Sequence, residues 1–195
     1  MTYYPTRSRR LRGALAALLP LAVPFAALAA DAGSAFAEHS HGSASGVLLA
    51  NVRAHTARYL DVNNATGDGF VRATPCVSGP DFGAMGVHFI KLDRLGSINQ
   101  PTDDKPTALI YEPTANGGLR LVGVEFIVMA GPWDLAHPKS PPSLDGNLFN
   151  LVGAPNRFGL DAFYELHAWA WQANPTGNFA DWNTRVVCDS QPAGG

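Results

Sequence analysis

The chain has 195 residues, of which 46% are hydrophobic and 15% are charged, so it is long enough for one well-buried domain and too short to favour two. Its formal charge is −2. Residues 1–37 hold four of the 14 basic residues and one of the 16 acidic ones, so their removal leaves ten basic against 15 acidic residues, a formal charge of −5. A chain this acidic is poorly suited to a polyanion, and we expect no nucleic-acid partner.

The first 37 residues have the three parts of a secretory signal peptide. The basic start contains four arginines, namely Arg7, Arg9, Arg10 and Arg12. An Ala/Leu-rich run over residues 13–30 follows, and Ala-x-Ala cleavage sites end at Ala29 and Ala37. The apolar run contains Pro20 and Pro24 and is short for a membrane span, which argues against a permanent anchor. We predict cleavage after Ala37 and export to the periplasm or the extracellular space, by either the general or the twin-arginine route.

An amphipathic helix is predicted after a short polar lead-in. Residues 38–46 are small, polar and rich in Gly and Ser, which is typical of a flexible segment, so a single globular domain is expected over residues 47–195. Apolar positions then recur every three or four residues. The predicted buried stripe consists of Leu48, Val52, His55, Tyr59 and Val62. With Ser45 as its N-cap, the helix would begin at Val47 and end near Asn63.

Strand patterns dominate the chain beyond this helix. The predicted strands lie within residues 84–92, 107–112, 119–129 and 160–172. The Asn116-Gly117 pair between the second and third of these is a strong hairpin signal. A two-residue turn at Asn116-Gly117 or at Gly117-Gly118 would put Glu112 and Glu125 on the same face of the hairpin.

These elements predict an α+β domain, in which the N-terminal amphipathic helix packs on a mostly antiparallel, curved sheet. A β-sandwich and a double-stranded barrel are the alternative architectures. Cys76 and Cys188 are the only cysteines in the chain, and an even number in an exported protein predicts a disulfide between them. Neither has a second cysteine or a histidine at ligand spacing, so these two residues do not indicate a zinc site.

The segment LDAFYELHAWAWQ, residues 160–172, carries the densest chemistry of the chain. Alternation of side chains in a strand places Phe163, Glu165, His167, Trp169 and Trp171 on one face. A buried carboxylate and a buried imidazole need hydrogen bonds, a proton, a metal ion or a ligand to offset their lost hydration. The face with Glu165 and His167 is therefore the candidate functional surface.

A metal site is one interpretation of this face. Polar residues in the middle of several predicted strands would supply imidazole and carboxylate ligands that suit iron, manganese or zinc on a rigid scaffold. The candidate ligands are His88, Glu125, Glu165 and His167. Because the predicted sheet offers only two histidines, a site with two imidazoles would have to use both of them.

Two other interpretations stay open. In one, Glu112, Trp169 and Trp171 line a metal-free pocket that binds or hydrolyses a carbohydrate. In the other, the polar residues satisfy one another inside the sheet or at the interface of a homo-oligomer, and the domain is purely structural or serves interactions. The sequence does not decide whether the protein is an enzyme, and it does not identify the metal or the small ligand.

Several motifs resemble a family of uncharacterised exported bacterial proteins. The matching segments are GAMGVHF, ALIYEP, LRLVGVEFIV, YELHAWAW and NPTGNFADWN, which lie between residues 47 and 188. This resemblance implies export and a single domain, and it implies no particular activity or cofactor.

Overall fold

A long helix precedes the sheet in the computed structural model, which describes residues 41–190, with side chains from residue 45 onward. The helical elements are α1 (His41–Thr56), a 3-10 helix (Ala57–Leu60), α2 (Val62–Gly67), α3 (Leu92–Leu95) and α4 (Ala130–Ala136). None of the helices in this part of the chain is long and apolar enough to cross a bilayer. The predicted signal peptide, residues 1–37, lies outside the described residues.

Helix α1 differs from the prediction in its bounds and in the phase of its buried side. It begins at His41, inside the predicted lead-in, and ends at Thr56. The buried residues that pack on the sheet are Leu48, Leu49 and Val52. The prediction that His55 lies on the buried side is wrong, because Thr56 is buried instead and its hydroxyl donates to the Val52 carbonyl at 2.6 Å. Packing of this apolar side on the sheet, more than local propensity, stabilises the helix.

Nine strands follow in chain order. They are β1 (Val71–Arg72), β2 (Val77–Gly79), β3 (Gly83–Ile90), β4 (Ala108–Pro113), β5 (Leu119–Met129), β6 (Ser143–Leu144), β7 (Asn147–Leu148), β8 (Asn150–Val152) and β9 (Phe163–Ala168). Seven of them form one antiparallel sheet in the order β1-β3-β4-β5-β9-β8, with β2 also paired to β3. This order is an open path from β1 to β8, so the sheet does not close into a barrel. The only other sheet in residues 41–190 is the two-stranded β6–β7 pair. The predicted α+β class, with a helix before a mostly antiparallel sheet, is confirmed.

The hairpin of β4 and β5 has a register that the turn signal did not predict. Glu112 pairs with Arg120 because residues 114–118 form a longer loop, in which the Asn116 side chain accepts from the Gly118 amide at 3.3 Å. A bulge at Val122 of β5, which has no partner residue on β4, then shifts the pairing by one position. Because of this bulge, Glu112 and Glu125 still lie on the same face of the sheet.

The two faces of the sheet have different surroundings. One face forms the main core with α1, and its sheet residues include Val87, Phe89, Leu109, Val124, Phe126 and Leu166. The opposite face, here called the polar face, carries His88, Glu125, Glu165 and His167. Two small apolar clusters share the polar face, one containing Ile110 and Trp169 and the other Ile127 and Phe163.

The C-terminal segment, residues 169–188, covers part of the polar face. Its Asn183 is completely buried and exchanges backbone hydrogen bonds of 3.1 Å with Ala84 of β3. A disulfide joins Cys188 to Cys76, with a Cα–Cα distance of 5.6 Å, as the sequence predicted. The segment is therefore fixed to the sheet both by backbone pairing and by a covalent bond.

Candidate metal centre

Three strands of the sheet bring His88, Glu125 and His167 together. Glu125 on β5 lies directly opposite His167 on β9 and, on its other side, opposite Ala108 on β4. His88 on β3 lies opposite Ile110, and its side chain reaches across β4, where Ala108 has a short side chain, so that Nε2 of His88 lies 3.4 Å from Oε2 of Glu125. One ring nitrogen of each histidine and one carboxylate oxygen of Glu125 lie within 4.8 Å of one another.

A glycine two residues before His88 lets β3 approach β4 closely. Gly86 has a φ of +99°, a conformation that residues with a side chain rarely adopt. A Cβ at this position would lie 2.7 Å from the carbonyl oxygen of Tyr111 on β4, which is too close for a real contact. Gly86 therefore contributes to the local strand geometry that positions His88.

The ring nitrogens of the two histidines are buried with few protein partners. Nδ1 of His88 lies 3.2 Å from Oγ1 of Thr74, whereas its Nε2 has no hydrogen-bond partner among the described residues. Both ring nitrogens of His167 are also buried without a hydrogen bond in that part of the chain, and its Nδ1 is 3.9 Å from Oδ1 of Asp181. An unsatisfied buried polar atom costs about 1–3 kcal/mol of stability. Three such atoms at one place are unusual in a folded protein and make this part of the polar face the candidate binding site.

Both imidazoles are neutral at neutral pH. Burial, and secondarily the neighbouring His167, lower the pKa of His88 to about 3. Burial alone lowers the pKa of His167 to about 3. Neutral imidazole is the form that coordinates a metal ion, so each ring has a lone pair available without first losing a proton.

Both glutamates of the centre have raised pKa values. Burial, followed by the charge of Glu165 and a hydrogen bond with it, raises the pKa of Glu125 well above its ordinary value. Burial and the nearby Asp181 raise the pKa of Glu165 to about 7, although the hydrogen bond with Glu125 acts in the opposite direction. Two carboxylates this close cannot both ionise easily unless a cation lies between or beside them.

Asp181 extends the centre beyond the predicted ligands. Ligand atoms of Glu165, His167 and Asp181 also lie within 4.8 Å of one another. A histidine that binds a metal ion through one nitrogen usually directs the other toward a carboxylate or another oxygen. Asp181 takes the position of such an outer partner for His167. Thr74 takes the same position for His88.

A cavity of about 230 Å³ opens beside the centre. His88 and Glu125 contribute to its lining, together with Thr74. The remaining lining residues are apolar and include Ile90, Leu92, Ile127, Phe158, Leu160 and Phe163. The centre is therefore next to a space that could hold a small molecule.

Two of the residues predicted for a carbohydrate-type pocket, Glu112 and Trp169, are buried against protein partners. The Glu112 carboxylate pairs with Arg120 and accepts from the backbone amide of Val187 at 2.9 Å. Trp169 is only 1% exposed, its indole stacks on the His167 ring at a centroid distance of 5.8 Å, and its Nε1 donates to the Ala180 carbonyl. A tryptophan buried to this degree has no free face on which a sugar ring could stack.

Trp171 does not share a face with Glu165 and His167, contrary to the prediction from alternation. Strand β9 ends at Ala168, three residues before it. The indole of Trp171 packs against the main core, and its Nε1 donates to the Thr56 hydroxyl on α1 at 3.0 Å. The prediction failed because the period of two holds only within the strand.

The sequence interpretation missed Thr74 and Asp181. Both lie on irregular segments outside the strands, at positions where no local pattern marks them. Their approach to His88 and His167 depends on tertiary structure, namely the path of the chain before β2 and the course of the C-terminal segment.

Comparisons of the chain with models of protein families, with curated proteins and with solved structures found no match.

Proposed function

We propose that the protein is an exported metal-binding protein that holds one divalent transition-metal ion with His88, Glu125 and His167. The observation that supports it best is the presence of three buried ring nitrogens without hydrogen bonds, next to a buried carboxyl group within ligand distance. Neutral imidazoles and a carboxylate that can ionise on binding a cation give the ligand set one overall negative charge.

The donor set favours iron(II), manganese(II) or zinc. Two imidazoles and one carboxylate are the ligands of non-haem iron sites with open positions, and three protein ligands plus water are typical of catalytic zinc. In both cases the ion keeps at least one position for a water molecule or a ligand. When bound, such an ion would act as a Lewis acid toward whatever occupies that position.

Glu165 would serve as a group that accepts a proton near the ion. Its pKa is raised to about 7 in the protein without an ion, and a bound cation would favour the ionised carboxylate, which is the form that can accept a proton. Asp181 would orient His167, and Thr74 would orient His88.

The export part of the proposal comes from the basic and apolar segments of residues 1–37. The Cys76–Cys188 disulfide supports it, because such bonds form and persist in oxidising compartments. N-terminal sequencing of the native protein should give Glu38 as the first residue.

Metal content and thermal stability test the proposal. Wild-type protein should contain about one ion per chain. After chelation, addition of iron(II), manganese(II) or zinc at about 100 times the dissociation constant should stabilise the metal-free protein by about 2.7 kcal/mol, or roughly 5–10 °C in Tm. His88→Ala and His167→Ala should lose the ion and this shift.

His55→Ala is the matched control, because His55 is exposed on α1 and should leave both quantities unchanged. Wild-type protein that contains no metal and shows no shift with any of the three ions would rule the metal centre out.

A further inference from the structure

The cavity beside His88 and Glu125 has a composition that restricts what can bind in it. Its ionisable lining residues are His88 and Glu125, and no lysine or arginine of residues 41–190 takes part in the lining. A phosphate, sulfate or carboxylate group in the cavity would therefore have no cationic side chain to pair with, apart from an ion at the centre. Away from the end that faces the centre, its ligand should accordingly carry no charged group.

The apolar walls indicate the nature of the ligand's body. Ile90, Ile127 and Phe163 are buried side chains of three different strands, and Phe158 and Leu160 cover them from the loop before β9. These side chains offer no hydrogen bonds to hydroxyl groups, so a sugar would lose its hydration without replacement. A hydrocarbon ring or short chain would gain from the same walls.

The size of the cavity limits the ligand to one ring or a chain of similar volume. An engineered apolar cavity of about 150 Å³ is sufficient to bind benzene. The present cavity, at about 230 Å³, has room for a six-membered ring with one or two substituents. Its lining includes Ala73 and Leu92, which are both exposed, so it opens to solvent at that side.

We infer that this cavity binds a small molecule with an uncharged, apolar ring and one oxygen donor, and that the donor faces the metal centre formed by His88, Glu125 and His167. The inference rests on the proposed function for the part played by the ion. The apolar part of the recognition depends only on the cavity walls. The expected ligand class is thus an aromatic or alicyclic alcohol, phenol or ketone.

Benzyl alcohol and toluene are suitable probes, because they share a ring and differ in the presence of a hydroxyl oxygen. Ligand-observed NMR titration of the full mature protein should show that both bind, and that benzyl alcohol binds at least about tenfold more tightly when the protein is loaded with metal than after chelation. Toluene should bind equally in the two states. Glucose, which matches the carbohydrate interpretation, should not bind.

Leu92→Asn tests the location. Leu92 lines the cavity at an exposed position, so the change should weaken binding of both apolar probes by about five- to tenfold while leaving metal content unchanged. Leu135→Asn is the matched control, because Leu135 is 86% exposed on α4 and does not line the cavity.

The outcomes separate this inference from the metal proposal. If neither benzyl alcohol nor toluene binds, or if wild type and Leu92→Asn bind the probes equally, the inference is overturned whatever the metal content. Probe binding that Leu92→Asn weakens, in a protein that takes up no ion, would support the apolar pocket and overturn the metal centre. Binding of glucose in preference to benzyl alcohol would overturn the assigned ligand class.

Discussion

At Glu165, the stability of the metal-free protein and the proposed binding of a metal ion have opposite requirements. Its pKa in the folded protein is raised to about 7, mainly by burial, whereas the ordinary value is 4.5. Because the folded-state pKa is the higher one, the favourable contribution of the protonated group is fully present below about pH 4.5. It is lost as the pH rises through about 7, where the folded protein must bury a charged carboxylate at Glu165, beside Glu125.

Glu165→Gln should therefore stabilise the metal-free protein at pH 8. The amide keeps the shape of the side chain and removes the buried charge, and we expect a gain of about 0.5–2 kcal/mol, or a few degrees in Tm. At pH 4.5, where the carboxyl group is already neutral, wild type and variant should melt together. Thermal unfolding in the presence of a chelator at the two pH values makes the comparison.

A loss of stability of equal size at both pH values would contradict this explanation. It would show that Glu165 contributes through a hydrogen bond that glutamine cannot replace, as the structural interpretation of the polar face requires. In the metal-loaded protein at pH 8, Glu165→Gln should lower the stability instead of raising it, because a cation favours the ionised form that glutamine lacks.

At the scale of elements, Glu112 connects the β4–β5 hairpin to the C-terminal segment. Its buried carboxylate accepts from Nε of Arg120 at 3.1 Å and from the amide of Val187 at 2.9 Å. Glu112→Ala removes both interactions and leaves the Val187 amide without this acceptor. We expect a loss of about 1–3 kcal/mol in the free energy of unfolding, measured by urea denaturation.

The metal content of Glu112→Ala should stay at the wild-type value, because Glu112 belongs to neither group of candidate ligands. A variant of unchanged stability that no longer binds a small ligand would instead favour the ligand-pocket interpretation of this residue.

Local periodicity was sufficient to predict part of the centre. Glu165 and His167 are two residues apart within one strand, and their common direction follows from the geometry of that strand alone. The relation of His88 to Glu125 was not predictable in the same way, because it depends on a strand order and on the small Ala108 between them. A pattern along the chain contains no information about which side chain will lie across an intervening strand.

The positions that were predicted wrongly have a common physical cause. His55 and Trp171 lie just where a regular element ends, and their directions are set by contacts with other elements. The hairpin signal at Asn116-Gly117 identified the turn, but side-chain hydrogen bonds in the loop and a bulge in the ladder determined the register. Tertiary contacts thus decided the outcome where local preferences were weak.

At the scale of the whole molecule, the disulfide joins two segments that are 112 positions apart. Restricting so long a loop in the unfolded chain should stabilise the protein by about 4–5 kcal/mol. The Cys76→Ser/Cys188→Ser double variant should therefore unfold at a lower urea concentration, with a Tm lower by about 10 °C or more. The described residues contain no free cysteine, so thiol-specific side reactions do not complicate the comparison.

Wild-type protein under strongly reducing conditions should match the double variant, since both lack the bond and little else changes. If both unfold like the oxidised wild type, the bond does not contribute to stability through the unfolded chain.

The position of the ligands along the chain has a consequence for when an ion can enter. His88 and Glu125 lie on β3 and β5, but His167 arrives with β9, and Asp181 comes still later in the segment that the disulfide fixes. If the protein is exported as proposed, a polypeptide threaded through the membrane in extended form would have no complete centre until it had crossed, and its ion would then be selected by the metals available outside the cytoplasm. A polypeptide that crossed already folded would bring the ion of the cytoplasm with it, so the choice of export route would also be a choice of metal.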